Sequence, residues 1–154
     1  MHLMPNQTLR LLAIILFTLA GVFIVDQNIK TLFVDGFRYY TDCIDLILVY
    51  NKGVAFSMFA FLDEYLKYIQ LLLVSGVLWY IIRLNKLCYA LPSGLLLGGA
   101  FSNIYDRFTH IGVVDMVYWH CGFDFAVFNF ADVMIDIAVL WILILNFKPQ
   151  TCKN

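Results

Sequence analysis

FNFADVMIDIAVLWILILNF, residues 128–147, is the stretch that decides the fold. Asn129, Asp132, Asp136 and Asn146 are its polar positions, and everything between them is apolar. A hydrocarbon core about 30 Å thick needs roughly 20 helical residues, so this run is long enough to cross it. Three more stretches approach the same standard. Residues 11–25 contain one polar side chain, Thr18, and extend to about residue 29 if Asp26 marks the membrane boundary. Residues 68–84 are apolar apart from Gln70, Ser75 and Arg83, and residues 87–105 carry no charge. The pattern predicts an all-α membrane protein in one domain, with four spans near 11–29, 68–84, 87–105 and 128–147. Composition agrees. Apolar residues make up 62% of the 154-residue chain, against about 45–50% in soluble proteins, and a soluble domain of this size could not hide the excess.

Charge narrows the function. A net charge of −1 excludes a nucleic-acid surface, which needs a basic patch to displace counterions. With both termini on the cytoplasmic side, Arg10, Arg83, Lys86, Lys148 and Lys153 lie inside. Lys30, Arg38, Lys52, Lys67 and Arg107 then lie outside. The count is even, but the inner segments are much shorter. Basic density therefore favours both termini inside. The first span lacks a small-x-small cleavage signature after it and is read as retained.

The outer segment at 31–66 does not read as a simple loop. Residues 37–40 and 44–50 are aromatic and β-branched and predict short strands. Residues 56–66 mix aromatics with Asp63 and Glu64 and predict a helix lying in the membrane interface. No cysteine forms a CxxC pair, and His2, His110 and His120 lack the spacing of a helical zinc site. No metal is expected. Cys43 and Cys121 could pair in an oxidising compartment, which sequence alone does not decide.

Charged groups near a span are costly and are functional candidates by default. Asp26 and Lys30 sit four apart on one helix face, a favourable acid–base order. Gly98-Gly99 allows close backbone approach. Asn103, Asp106 and Arg107 follow, and Asp106 reads as neutralised by its neighbour Arg107. Asp115 lies in an apolar setting, where burial favours the neutral acid. Asn129 is a good N-cap. It places Asp132 at the third helical position, where the helix dipole favours an ionised carboxylate. Two carboxylates in unequal environments suit acid–base hydrolysis. Asp136, one turn below Asp132, has no assigned role.

Five blocks then form a recognisable series. They are Asp26-x-x-x-Lys30, Asn51-x-Gly53-x-Ala55-Phe56, Gly98-Gly99-x-x-x-Asn103-x-x-Asp106-Arg107, Gly112-Val113-Val114-Asp115 and Phe128-Asn129-x-Ala131-Asp132. In that order the chain resembles lipoprotein signal peptidase, the type II signal peptidase of bacterial inner membranes. The resemblance implies an aspartyl endopeptidase that cuts prolipoproteins before a diacylglyceryl-modified cysteine. It implies catalytic Asp115 and Asp132. Asn51 and Arg107, with Gly53 nearby, would hold the substrate backbone, and Asn103 and Asn129 would orient the aspartates. Asp26, Lys30 and Asp106 would be supporting residues. It further implies a small extracytoplasmic β-cradle with an interfacial helix, a site near the extracytoplasmic face and inhibition by globomycin-type cyclic peptides. The partners would be prolipoprotein and membrane lipid, with no cofactor and a monomeric enzyme. Ser102 stands where the family often has glycine. The rival readings are an ion or proton transporter using membrane carboxylates, a presenilin-like protease and a scaffold. No Gly-x-Gly-Asp motif and no internal repeat support the first two.

Overall fold

The structure, a computed structural model, describes residues 5–53, 63–147 and 152. Helix α1 spans Pro5–Val34, strand β1 Ile44–Asn51 and helix α2 Asp63–Leu84. A 3-10 turn at Leu87–Tyr89 leads into α3, Ala90–Thr109, followed by β2, Val113–Trp119, and α4, Phe130–Phe147. All four helices are long and apolar enough to cross a membrane. Their outward faces are apolar, with Phe17, Leu72 and Phe147 among the most exposed side chains, as a lipid environment allows.

The helices overrun the apolar segments that announce them. α1 starts at Pro5, and a proline is tolerated in a first turn because its missing N–H has no intrahelical partner there. It continues past Asp26 and Lys30 because those charges are buried against other elements rather than released to solvent. It stops at a glycine. Phe37 N–H bonds Leu32 C=O at 3.0 Å and Gly36 N–H bonds Phe33 C=O at 3.1 Å. Gly36 has φ +109°, the positive value that this helix-ending motif requires.

α3 is the central helix. More than half of it is buried inside the protein, against less than a fifth of the other three. Leu97 and Ala90 pack with Leu11 and Ile15 of α1 and Ile81 of α2. Gly99 lets α4 come close: a Cβ there would lie 2.6 Å from the Ala131 carbonyl oxygen.

The two strands pair antiparallel, with Ile44 opposite Trp119 and Asn51 opposite Val113. β1 joins α1 to α2 and β2 joins α3 to α4, so the sheet marks one end of the bundle. From that end α2 and α4 run into the membrane in the same direction. Of the two short strands expected at 37–40 and 44–50, the second lies within β1 and the first forms no strand. β1 takes a partner nearly 70 residues on, and Tyr39 contributes a single bridge to Leu46. The reason lies in β2, whose alternate side chains serve two sides. Val114 and Met116 are buried with Phe33, while Val113 and Asp115 face a cavity. Residues 54–62, which hold most of the expected interfacial helix, lie outside the described residues.

Cys43 is disulfide-bonded to Cys121, closing the sheet beside the Ile44–Trp119 pair. Cys88 is bonded to Cys152 at the opposite end of the bundle, joining the start of α3 to the chain beyond α4. The second pairing has no sequence signal.

Candidate active site

Phe128 brings the two halves of the site together. Its carbonyl accepts from Val117 N–H at 2.9 Å, and its N–H donates to Val117 C=O at 3.1 Å. The residue that precedes the N-cap of α4 is thus fastened to the strand that carries Asp115. Asn129 then caps the helix. Its Oδ1 accepts the Asp132 N–H at 2.8 Å, and Asp132 Oδ2 accepts the Asn129 N–H at 3.1 Å. This reciprocal pair is a capping box, and it holds the Asp132 carboxylate at the helix start.

Three asparagine amides feed the two carboxylates. Asn129 Nδ2 donates to Asp115 Oδ1 at 2.7 Å, and Asn51 Nδ2 donates to Asp115 Oδ2 at 3.1 Å. Asn103 Nδ2 donates to Asp132 Oδ1 at 2.8 Å. In each case a donor to the amide oxygen fixes which way the amide points. Gly53 N–H serves Asn51, Asp132 N–H serves Asn129, and the Lys30 ammonium serves Asn103. Asn129 touches both aspartates, so the two carboxylates are one residue apart through hydrogen bonds.

Behind the asparagines lies a buried charge cluster. Lys30 Nζ is 2.6 Å from Asp26 Oδ2 and 2.7 Å from Asp106 Oδ2. All three residues are at most 1% exposed. Asp26 also accepts the Ala131 N–H at 2.8 Å, which ties α1 to the start of α4. Asp106 accepts the Val114 N–H at 3.1 Å, which ties α3 to the strand of Asp115. Lys30 therefore joins the anchors of both carboxylates. Asp106 was read as neutralised by its neighbour Arg107, but its ion pair is with Lys30. Arg107 instead donates to the carbonyls of Lys52 (3.2 Å) and Gly53, holding the turn after Asn51.

Burial, then the charge of Asp132, pushes the Asp115 carboxyl up to about 7. The Asn51 and Asn129 amides and the Lys30 charge work in the opposite direction. Asp115 thus keeps its proton close to neutral pH, as its apolar surroundings predicted. Both aspartates line a cavity of about 430 Å³, together with Asn51, Gly53, Asn103 and Arg107. Asn129 stands behind it, fully buried. Among the described residues no group of three or more His, Cys, Asp or Glu is placed to hold a metal ion. Cys121 is in a disulfide, and its neighbour His120 lies 3.4 Å from Asp45.

Residues 18–148 match the family model of signal peptidase (SPase) II. The chain belongs to the signal peptidase II family. A relative from Sulfurimonas denitrificans, described as lipoprotein signal peptidase, is 78% identical over 151 residues, covering 98% of this chain and 99% of its own length. One so described from Sulfurovum sp. is 61% identical over 140 residues, covering 90% and 96%. A bacterial membrane enzyme solved by the in meso method at 2.3 Å resolution has the same fold, with a TM-score of 0.77 at 23% identity over 91% of each chain. This family member is accordingly a multi-pass membrane protease.

Gln27 drew no comment in the sequence, and Gln70, Ser102 and Asp136 were noted there without a role. Gln27 Nε2 donates to Asp106 Oδ1 and to Ser102 Oγ, both at 2.8 Å. Ser102 donates to Asp26 Oδ2 at 2.7 Å, so its hydroxyl is a bonded member of the cluster. Gln70 and Asp136 line the cavity. A polar residue inside a span is the signal that could have picked out Gln27 and Gln70.

Proposed function

We propose that this protein is an aspartyl endopeptidase that removes signal peptides from diacylglyceryl-modified prolipoproteins, cutting just before the lipidated cysteine. The observation that carries the proposal is the sharing of Asn129 by Asp115 and Asp132 at the wall of one cavity. Two carboxylates this closely linked titrate as a pair. With one proton between them, held by Asp115 up to about 7, the pair has one base and one acid. Asp132 takes a proton from a water as that water attacks the scissile carbonyl. Asp115 gives its proton to the nitrogen of the departing cysteine, whose amide bond breaks. The products are a new carboxyl end on the signal peptide and a free α-amine on the lipidated cysteine. Asn51, Asn103 and Asn129 hold the carboxylates in place, so little reorganisation accompanies the reaction.

The whole chain acts as one peptidase domain, a monomer in the bacterial cytoplasmic membrane. Both termini face the cytoplasm, and the sheet end with its cavity is extracytoplasmic. Substrate enters sideways from lipid with its acyl chains left in the bilayer. The test is cleavage in proteoliposomes of one precursor with and without the diacylglyceryl group, with the new N-terminus read by mass spectrometry. Cleavage before cysteine of the lipidated form alone, abolished by globomycin, is expected. Equal cleavage of both forms, or ion flux with no cleavage, contradicts the proposal.

A further inference from the structure

Two polar side chains in the cavity are left over by this chemistry. Asp136 is exposed along a membrane-spanning helix and lines the cavity wall. Gln70 lines it from α2, and its Oε1 is fully buried with no hydrogen-bond partner. Neither belongs to the blocks that identify the family. A buried carbonyl oxygen left unpaired is costly, and so is a carboxylate within a span, so each calls for an explanation.

They sit at similar distances along their helices. α2 begins at Asp63 and α4 at Phe130, and both run inward from the sheet end. Gln70 is seven residues in and Asp136 six. At 1.5 Å per residue they lie about 10 and 9 Å along from their helix starts, and Asp136 is roughly 6 Å beyond Asp132 on α4. Both are hydrogen-bond acceptors lining one cavity.

We propose that Gln70 Oε1 and the Asp136 carboxylate form a subsite that accepts backbone N–H groups of the signal peptide on its side of the scissile bond. The proposal rests on the peptidase reading above. To reach the aspartates the substrate leaves its membrane helix and becomes extended. The N–H groups of that stretch lose their helical partners inside the bilayer, where water does not replace them. An extended chain advances about 3.3 Å per residue, so Asp136, roughly 6 Å beyond Asp132, meets the second or third residue before the cut. The subsite recognises the peptide backbone, and its acceptors select for an extended conformation there rather than for a side chain.

The experiment pairs altered enzymes with altered substrates. The lipidated precursor is made with its normal amides, or with an ester replacing the amide nitrogen of the second or third residue before the cut. Wild-type protein, Gln70→Leu, Asp136→Leu and Asp136→Asn are compared for KM and kcat. The expected result is a KM raised about tenfold by either leucine substitution or by an ester, with kcat and its pH profile unchanged. Leucine variant and matching ester together should cost no more than one of them, and Asp136→Asn, which keeps an acceptor oxygen, should stay near wild type. Effects of enzyme and substrate changes that simply add overturn the proposal. So does an Asp136→Leu effect confined to the pH profile of kcat, which would make Asp136 part of the proton chemistry. If the wild-type protein does not cleave the lipidated precursor at all, the peptidase reading fails instead. In that case binding of the amide and ester precursors to Asp115→Asn protein still tests the subsite. Ester and amide bound equally well would overturn it.

Discussion

Lys30 Nζ lies 2.9 Å from Asn103 Oδ1, and that contact decides which end of the Asn103 amide faces Asp132. An amide turned the other way would present a second oxygen to a carboxylate. The lysine acts on the site through this orientation as well as through its ion pairs with Asp26 and Asp106.

Lys30→Met should therefore damage both stability and activity. It leaves two buried carboxylates without their cation, a change of the kind that costs about 3–5 kcal/mol. Thermal unfolding in detergent should show a drop of many degrees. Under conditions where the variant is folded, kcat should fall while KM for the lipidated precursor stays close to wild type. A variant with full stability would show that the cluster does not hold α1, α3, α4 and β2 together.

The Asp115 ionisation near 7 sets a pH dependence. The folded carboxyl titrates above its ordinary value of 3.8, so the folded state binds the proton more tightly than the unfolded chain. Stability from this group is full below about 4, declines as pH rises to about 7 and levels off above. The total is up to about 4 kcal/mol. Cleavage should fall above about 7, as the shared proton is lost. Asn129→Ala removes an N–H donor to the ionised form and should move that limb upward, besides losing a helix cap of about 1 kcal/mol. A pH–rate profile flat from 5 to 9 would contradict the assignment.

Gly99→Leu should separate α3 from α4. Even a Cβ at this position would sit 2.6 Å from backbone, not from a movable side chain. Overpacking of this kind costs about 1–3 kcal/mol or more. Asp132 is one residue past the contact at Ala131, so activity should fall further than stability alone accounts for. Gly21→Leu, at a glycine with open space around it, is the control and should be near neutral.

The helices were legible because a bilayer imposes length and apolarity on each span separately, and residues 128–147 show both without any partner. Asn129 as a cap and Asp132 as the third helical residue were legible for a similar reason, since capping is local. The sheet was not. Its two strands lie on opposite sides of two helices in sequence, and nothing in IDLILVYN points to VVDMVYW. Asp115 was visible as a carboxylate in apolar company, but its place on a strand beside Val114 and Met116 was not. Asp106 was misjudged because Arg107 is adjacent in sequence, whereas side chains at neighbouring helical positions point in different directions. Its cation, Lys30, comes from another helix.

The central claim is that Asp115 and Asp132 together activate one water. It is tested most directly by single-turnover cleavage of a diacylglyceryl-modified precursor by Asp115→Asn, Asp132→Asn and the double variant, each shown to be folded and to bind the precursor. Both single variants should lose at least about a thousandfold in rate, and the double variant little more, because acid and base act as a unit. Cleavage at close to the wild-type rate by either single variant would contradict the account.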